Sequence, residues 1–189
     1  GEGREVVEPL ANYLVGRARG TFGETLVGGL LTGVVRATGD PAIGATLPTT
    51  STVAGLDVER PLGLQWLVSA QATGSAVTGS AAAITEVQSA FPRIFQRPDA
   101  GHLSLDPSRQ RLLGWAAEAN VLKTDGEYWT GGLQLAATSP GFDANELGFQ
   151  NRADQAGFGG VVIYQQNQAQ GPFQRWSSNF FWGWNYPYS

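Results

Sequence analysis

Apolar side chains recur at every second position through most of this chain, a period that fits strands and not helices. In "LGLQWLVSAQATGS" (62–75), Leu64, Trp66, Val68, Ala70 and Ala72 share one side, while Gln65, Ser69, Gln71 and Thr73 share the other. In "RLLGWAAEANVLK" (111–123), Leu113, Trp115, Ala117, Ala119 and Val121 alternate with Glu118 and Asn120. "EYWTGGLQLAATS" (127–139) sets Trp129, Leu133, Leu135 and Ala137 against Thr130, Gln134 and Thr138. "FQRWSSNFFWGWNY" (173–186) sets Trp176, Phe180, Trp182, Trp184 and Tyr186 against Arg175, Ser177 and Asn179. Helices would need apolar positions three and four apart. Weaker alternation over 11–22, 25–37, 51–60 and 156–168 brings the expected total to about eight strands.

The connections alternate too. Tight turns are expected at 23–24, 61–63, 124–126 and 169–172, and long loops at 38–50, 76–108 and 139–154. In an antiparallel up-and-down meander, every tight turn then lies at one end of the sheet and every long loop at the other. Short helix is expected only inside the long loops, at 41–47 or 82–91. The loop "SPGFDANELGFQNRAD" (139–154) carries Asp143, Glu146 and Asp154, expected to cap strand ends in water. Its Phe142, Leu147 and Phe149 are expected to fold it over the end of the sheet.

Short turns at one end and long loops at the other is the layout of bacterial outer-membrane barrels. Strands of roughly 9–11 residues, tilted, suffice to cross a bilayer. The expectation is therefore all-β: an antiparallel up-and-down meander of about eight strands, part of a transmembrane outer-membrane β-barrel. Trp66, Val68, Trp115, Leu133, Leu135, Phe180 and Trp182 should face lipid. Arg17, Arg19, Gln65, Gln71, Glu118, Asn120, Gln134 and Asn179 should face the lumen, because charge facing lipid costs about 2–4 kcal/mol at the midplane. The aromatic run at 176–188 reads as an interfacial girdle. The competing architecture, a soluble β-sandwich, also alternates. It gives no reason for the strict alternation of loop lengths, and the six Trp would be costly to expose in water.

Composition narrows the functional classes. At 189 residues the chain is one domain, residues 1–189. Charged residues make up only 15% and the net charge is −4, which argues against a nucleic-acid partner. With no Cys, disulfides, zinc–thiolate sites and thiol nucleophiles are excluded. The start at Gly1 and the lack of Met mark an expected processed product or internal piece of a longer protein.

Candidate chemistry clusters in one loop. His102 is the sole His, with Asp99, Ser104 and Asp106 nearby in "RPDAGHLSLD". These types could build a Ser–His–Asp hydrolytic site or a metal site from Asp99, His102 and Asp106. Asp and Pro also make turns without further purpose, and that reading is preferred, so no catalytic, cofactor or metal residue is assigned. Arg93, Arg97, Arg109 and Arg111 bracket the loop with Phe91 and Phe95. Arginine beside aromatics could hold anionic sugars or lipopolysaccharide phosphates; the preferred alternative pairs these Arg with acids inside the barrel. The mouth-binding set is thus Arg93, Arg97, Asp99, His102 and Asp106. The function expected is a membrane-embedded scaffold or conduit in transport, surface assembly or glycan-related processes. Expected partners are outer-membrane lipid, further barrel strands, other envelope proteins and glycans. The alternatives are an outer-membrane hydrolase using the His102 loop and a soluble β-sheet binding module.

Three segments carry a family resemblance. "SPGFDANELGFQNRAD" resembles an "SPGF…N-D/E-L-G-F…R-A-D" signature, and "FQRPDAGHLSLDPSR" and "TLVGGLLTGVVR" resemble two further segments of the same family. It is an outer-membrane-barrel family of unknown function (number fifty-nine sixteen), whose members usually carry an N-terminal module resembling a family-nine carbohydrate-binding domain. The resemblance runs in order along nearly the whole chain. It implies a large barrel of which this chain is an internal piece, so that the first and last strands pair outside it. None of the quoted segments belongs to the carbohydrate-binding-like module, so glycan binding passes to no residue here, and the family lends no activity.

Overall fold

The structure, a computed structural model, describes residues 9–98, 100–169 and 171–187. Its strands are β1 (Ala11–Phe22), β2 (Thr25–Arg36), β3 (Thr50–Leu62), β4 (Trp66–Thr78), β5 (Arg111–Lys123), β6 (Trp129–Thr138), β7 (Gln155–Gln166) and β8 (Trp176–Tyr186). They form one sheet in sequence order, every neighbouring pair antiparallel. No ladder joins β1 to β8 among the described residues, so the sheet has two free edges. Two helices lie in the long loops where they were expected. In α1 (Pro41–Thr46), Asp40 caps by accepting from the backbone N–H of Ala42, and Pro41 occupies the first turn, where its missing N–H costs nothing. In α2 (Ala81–Ser89), Ser80 accepts from the N–H of Ala83.

Antiparallel register places cross-strand partners on the same face. One face follows the row Arg19, Gly28, Asp57, Gln71, Glu118, Ala136 from β1 to β6. The opposite face follows Val58, Ala70, Ala119, Leu135, Phe158, Trp184 from β3 to β8. We call the first the inner face, because the long loops fold across it. Trp66, Val68, Trp115, Leu133, Leu135, Phe180 and Trp182 all lie on the outer face, and Arg17, Arg19, Gln71, Glu118, Asn120, Gln134 and Asn179 on the inner. A slip of one residue in any strand would have reversed its set.

Several boundaries differ from expectation. Gln65, expected inside a strand and facing a lumen, lies in the β3–β4 turn, because β3 runs on to Leu62 and the turn occupies 63–65. Gly63 takes φ +64° there, a conformation that favours glycine. Pro61 is tolerated in β3 because β2 pairs only as far as Glu59 on that side, so no ladder bond is lost. The β7–β8 connection spans 167–175, longer than the expected 169–172, and Gln170 within it lies outside the described residues. The loops still alternate, with 37–49, 79–110 and 139–154 as the long ones.

These long loops share one rim. Ser80 Oγ donates to the Gly44 carbonyl, Ala153 N–H to the Pro92 carbonyl, and Asp143 N–H to Ser75 Oγ. The molecule's small core sits beneath them: Val77 and Leu112 of the inner face pack with Ile84 and Phe95 of the loops. Loop 139–154 starts beside β5, where a Cβ on Gly114 would overlap the backbone of Gly141 and Phe142. It reaches β2 through Arg36, whose guanidinium binds Glu146. Of the three apolar residues expected to fold it down, Phe142 is buried, whereas Leu147 and Phe149 are exposed, since only Phe142 lies over the glycine gap.

Candidate functional site

Two parts of the inner face carry chemistry: a polar belt across β1–β6 and the loop cover above it.

In the belt, Arg17 Nη1 lies 2.5 Å from Asp57 Oδ1, and Arg19 Nη2 lies 3.6 Å from Asp57 Oδ2. Gly28 stands between their strands. A Cβ there would come within 2.6 Å of Asp57 and 2.8 Å of Arg17, so this glycine leaves the notch through which the pair meets. Two strands further on, Glu118 Oε1 accepts from Asn120 Nδ2 at 2.8 Å and Gln134 Nε2 at 2.9 Å, and Oε2 accepts from Gln71 Nε2 at 3.2 Å. Asn120 Nδ2 also reaches Ser69 Oγ at 3.4 Å. A groove of about 330 Å³ runs between the Arg–Asp and Glu–amide groups, lined among others by Glu59 and Ser69. Except for Gln65, in the β3–β4 turn, and Asn179, which lies opposite Ile163 at the far edge of the sheet, the expected lumen set is brought together. Asp57 and Gly28 were missed, although Asp57 alternates with Val58 in a weak strand pattern that could have flagged it.

In the loop cover, each acid of 139–154 has a cationic partner. Arg93 is 3% exposed. Its Nη2 donates to Asp143 at 2.9 Å, Nη1 to the Phe142 carbonyl at 2.8 Å and Nε to the Val87 carbonyl at 3.0 Å. Burial pulls the guanidinium's pKa down, and Asp143 opposes that pull. Glu146 binds Arg36, and Asp154 binds Arg97 through one oxygen and His102 Nε2 at 3.1 Å through the other. These acids do not simply cap strand ends in water, as expected; they clamp loop to loop and loop to sheet. Gln88 adds a two-way clasp, donating to the Asp106 carbonyl at 2.9 Å and accepting from the Asp106 N–H at 3.0 Å.

The mouth-binding candidates are thus largely engaged within the protein. Arg93 directs its donors into the cover, and Arg97 is held by Asp154. Asp106 accepts from Ser108 and lies 3.6 Å from Arg109; the Ser108 hydroxyl and N–H hold its carboxyl below the usual range. Asp99 lies outside the described residues. His102 finds Asp154, distant in sequence, and not the neighbouring Asp106 as its carboxylate. Ser104 lines the same cavity as His102, with Phe95, Arg109, Trp115 and Ser139, but no hydrogen bond joins Ser104 to His102 among the described residues. Among those residues no group of three His, Asp or Glu is arranged to hold a metal.

The outer face is different in kind. Its described strand positions carry no carboxylate, and their cations, Arg60, Arg111 and Lys123, lie at or near strand ends. Aromatic rings gather at the short-turn rim: Tyr164 stacks on Tyr128 at 6.0 Å, meets Trp129 edge-on at 4.8 Å and packs on Trp176 at 4.9 Å. The girdle expected along 176–188 instead spans the height of β8, because Trp176, Phe180, Trp182, Trp184 and Tyr186 follow one another along one strand; residue 188 lies outside the described residues. No described helix is long and apolar enough to cross a membrane, which says nothing of crossing by strands.

Fold and site together define an eight-stranded antiparallel meander with chemically opposite faces and one loop-covered rim. No family model, curated protein or solved structure matches the chain.

Proposed function

We propose that this chain is part of the wall of a bacterial outer-membrane β-barrel, serving as a scaffold or conduit in transport, surface assembly or glycan-related processes. The observation that carries this reading is the segregation of charge across the sheet. Six charged residues (Arg17, Arg19, Arg36, Asp57, Glu59 and Glu118) occupy inner-face strand positions, whereas the outer face keeps its few cations near strand ends. The outer face exposes Leu14, Leu56, Leu113, Leu133, Leu135, Phe180 and Trp184, a contiguous apolar surface that water would penalise and acyl chains would not. The aromatic cluster at the short-turn rim matches a membrane–water interface. The free edges of β1 and β8 would then be closed by further strands, since unpaired backbone is not tolerated in lipid. The loop cover lies at the opposite, mouth end.

Refolding into detergent micelles tests this reading. A barrel wall gives heat-modifiable gel migration and protease resistance that require detergent or lipid. Full folding in detergent-free buffer, as a monomer with an unchanged sheet signal, would overturn it.

A further inference from the structure

Cations on the outer face are not spread evenly. Arg60 and Lys123 sit at the short-turn rim, on either side of β4, whereas Arg111 stands at the other rim. Arg60 pairs across to Val68 and Lys123 to Trp66, and their strands lie two strand spacings apart, about 10 Å. Arg60 is exposed and meets no acid among the described residues. Lys123 Nζ donates to two neutral groups, the carbonyls of Asp125 at 2.7 Å and Trp129 at 2.9 Å, and keeps a third hydrogen. The nearby turn acids are occupied: Asp125 accepts from the Gly126 N–H, and Glu127 is hydrogen-bonded to Tyr128. Beside Lys123 an apolar groove of about 340 Å³ opens on the same face, lined by Trp66, Val121, Trp129, Leu133 and Trp182.

Resting on the proposed barrel wall, we infer that this rim holds an anionic glycerophospholipid, its phosphate on Arg60 and Lys123 and one acyl chain in the groove. The geometry supplies both ends of such a molecule. From Trp129 to Leu133 the groove follows β6 for about 13 Å, close to half of a hydrocarbon core of about 30 Å. Its walls are apolar along that length, and the positive charge stands at its rim end. Trp66 and Trp129 are both exposed at that level, where indole rings sit at a membrane–water interface. An acyl chain alone would need no cation, and a small soluble anion would need no groove. A zwitterionic lipid would bring its own ammonium towards the two cations, which favours a headgroup with net negative charge.

Three of the chain's six Trp line this groove, so intrinsic fluorescence reports on the lipid seated there. The protein is placed in phosphatidylcholine vesicles carrying a small fraction of chain-brominated lipid. Brominated phosphatidylglycerol should quench about twofold more than brominated phosphatidylcholine at the same fraction. High salt should shrink the excess. Arg60→Gln combined with Lys123→Gln should abolish it. Arg60→Gln alone, which leaves the Lys123 clamp on the turn intact, should lower it. Arg111→Gln, at the other rim, should leave it unchanged. Equal quenching by the two lipids in the unaltered chain, or an excess that survives the double variant, would overturn the inference. An equal loss in Arg111→Gln would overturn it too, since the attraction would then belong to no one site. Failure of the barrel reading looks different: neither brominated lipid would quench.

Discussion

The upper and lower halves of the inner face belong to the same strands yet carry opposite chemistry. Towards the long-loop rim, Val34, Val53, Val77 and Leu112 are buried, and Ser51 and Ser75 with them. Towards the short-turn rim, Arg17, Asp57, Gln71 and Glu118 line an open groove or surface. The difference lies in what covers each half. Above, 79–110 and 139–154 fold inward and supply Ile84, Phe95 and Phe142; below, nothing in the described chain lies over the belt. A strand's inner face is therefore not uniformly polar, and its pattern follows the reach of the loops. The buried pairs differ from the exposed ones in the same way. Arg93 and Asp143 are almost wholly removed from solvent, whereas Arg17 and Arg19 are 39% and 51% exposed at the side chain.

The comparison predicts a graded response. Removing Arg93 should have the largest effect, because Arg93→Ala takes the donor from a buried Asp143 and from two carbonyl acceptors, Phe142 and Val87. A loss of about 3–5 kcal/mol is expected, read by denaturant unfolding in micelles, with earlier proteolysis inside 139–154. A cost under about 1 kcal/mol would mean the cover is looser than its burial implies. Leu112→Ala should come next, at about 2–4 kcal/mol, since it opens a cavity under Ile84 and Phe95; the same assay checks it. Arg17→Ala, in the open half, should cost below about 1 kcal/mol because solvent screens the pair. If Arg17→Ala matched Arg93→Ala, the two halves would not differ as described.

The smallest effect concerns Asp106. Hydrogen bonds from Ser108 hold its folded pKa below the ordinary 3.8, so the stability these bonds contribute is fully present above that value and lost as pH falls through the lower folded one. Ser108→Ala should raise the Asp106 titration midpoint towards the ordinary value, followed by carboxyl chemical shift. No upward movement would remove Ser108 as the cause.

Faces and topology were legible in the sequence because a period of two is local: Trp115 against Glu118, or Leu133 against Gln134, needs no knowledge of distant residues. The tight turns also announced themselves, and short helix was expected at 41–47, where α1 lies, although the capping by Asp40 was not read from the sequence. What stayed hidden was long-range. Nothing local to "RPDAGHLSLD" says that His102 meets Asp154 and not Asp106, a contact across 52 positions. Nor does "SPGFDANELGFQNRAD" show that Glu146 reaches back to Arg36 across 110. Pairing with acids describes Arg93 and Arg97, but the acids are Asp143 and Asp154 of the loop 139–154 and not inner-face strand residues. Gln65 was misplaced because alternation continues smoothly from turn into strand, and only the pairing of Leu62 with Trp66 sets the boundary.

The most direct test of the central claim is a nitroxide scan along β6 in lipid bilayers, from residue 131 to 137, read against oxygen and a water-soluble nickel chelate. The charge-segregated sheet predicts a period of two in opposite phase. Labels at Leu133, Leu135 and Ala137 should favour oxygen, and labels at Gln134 and Ala136 the chelate. Equal chelate access at Leu135 and Gln134 would contradict a lipid-facing outer surface and return the chain to the class of water-soluble sheets.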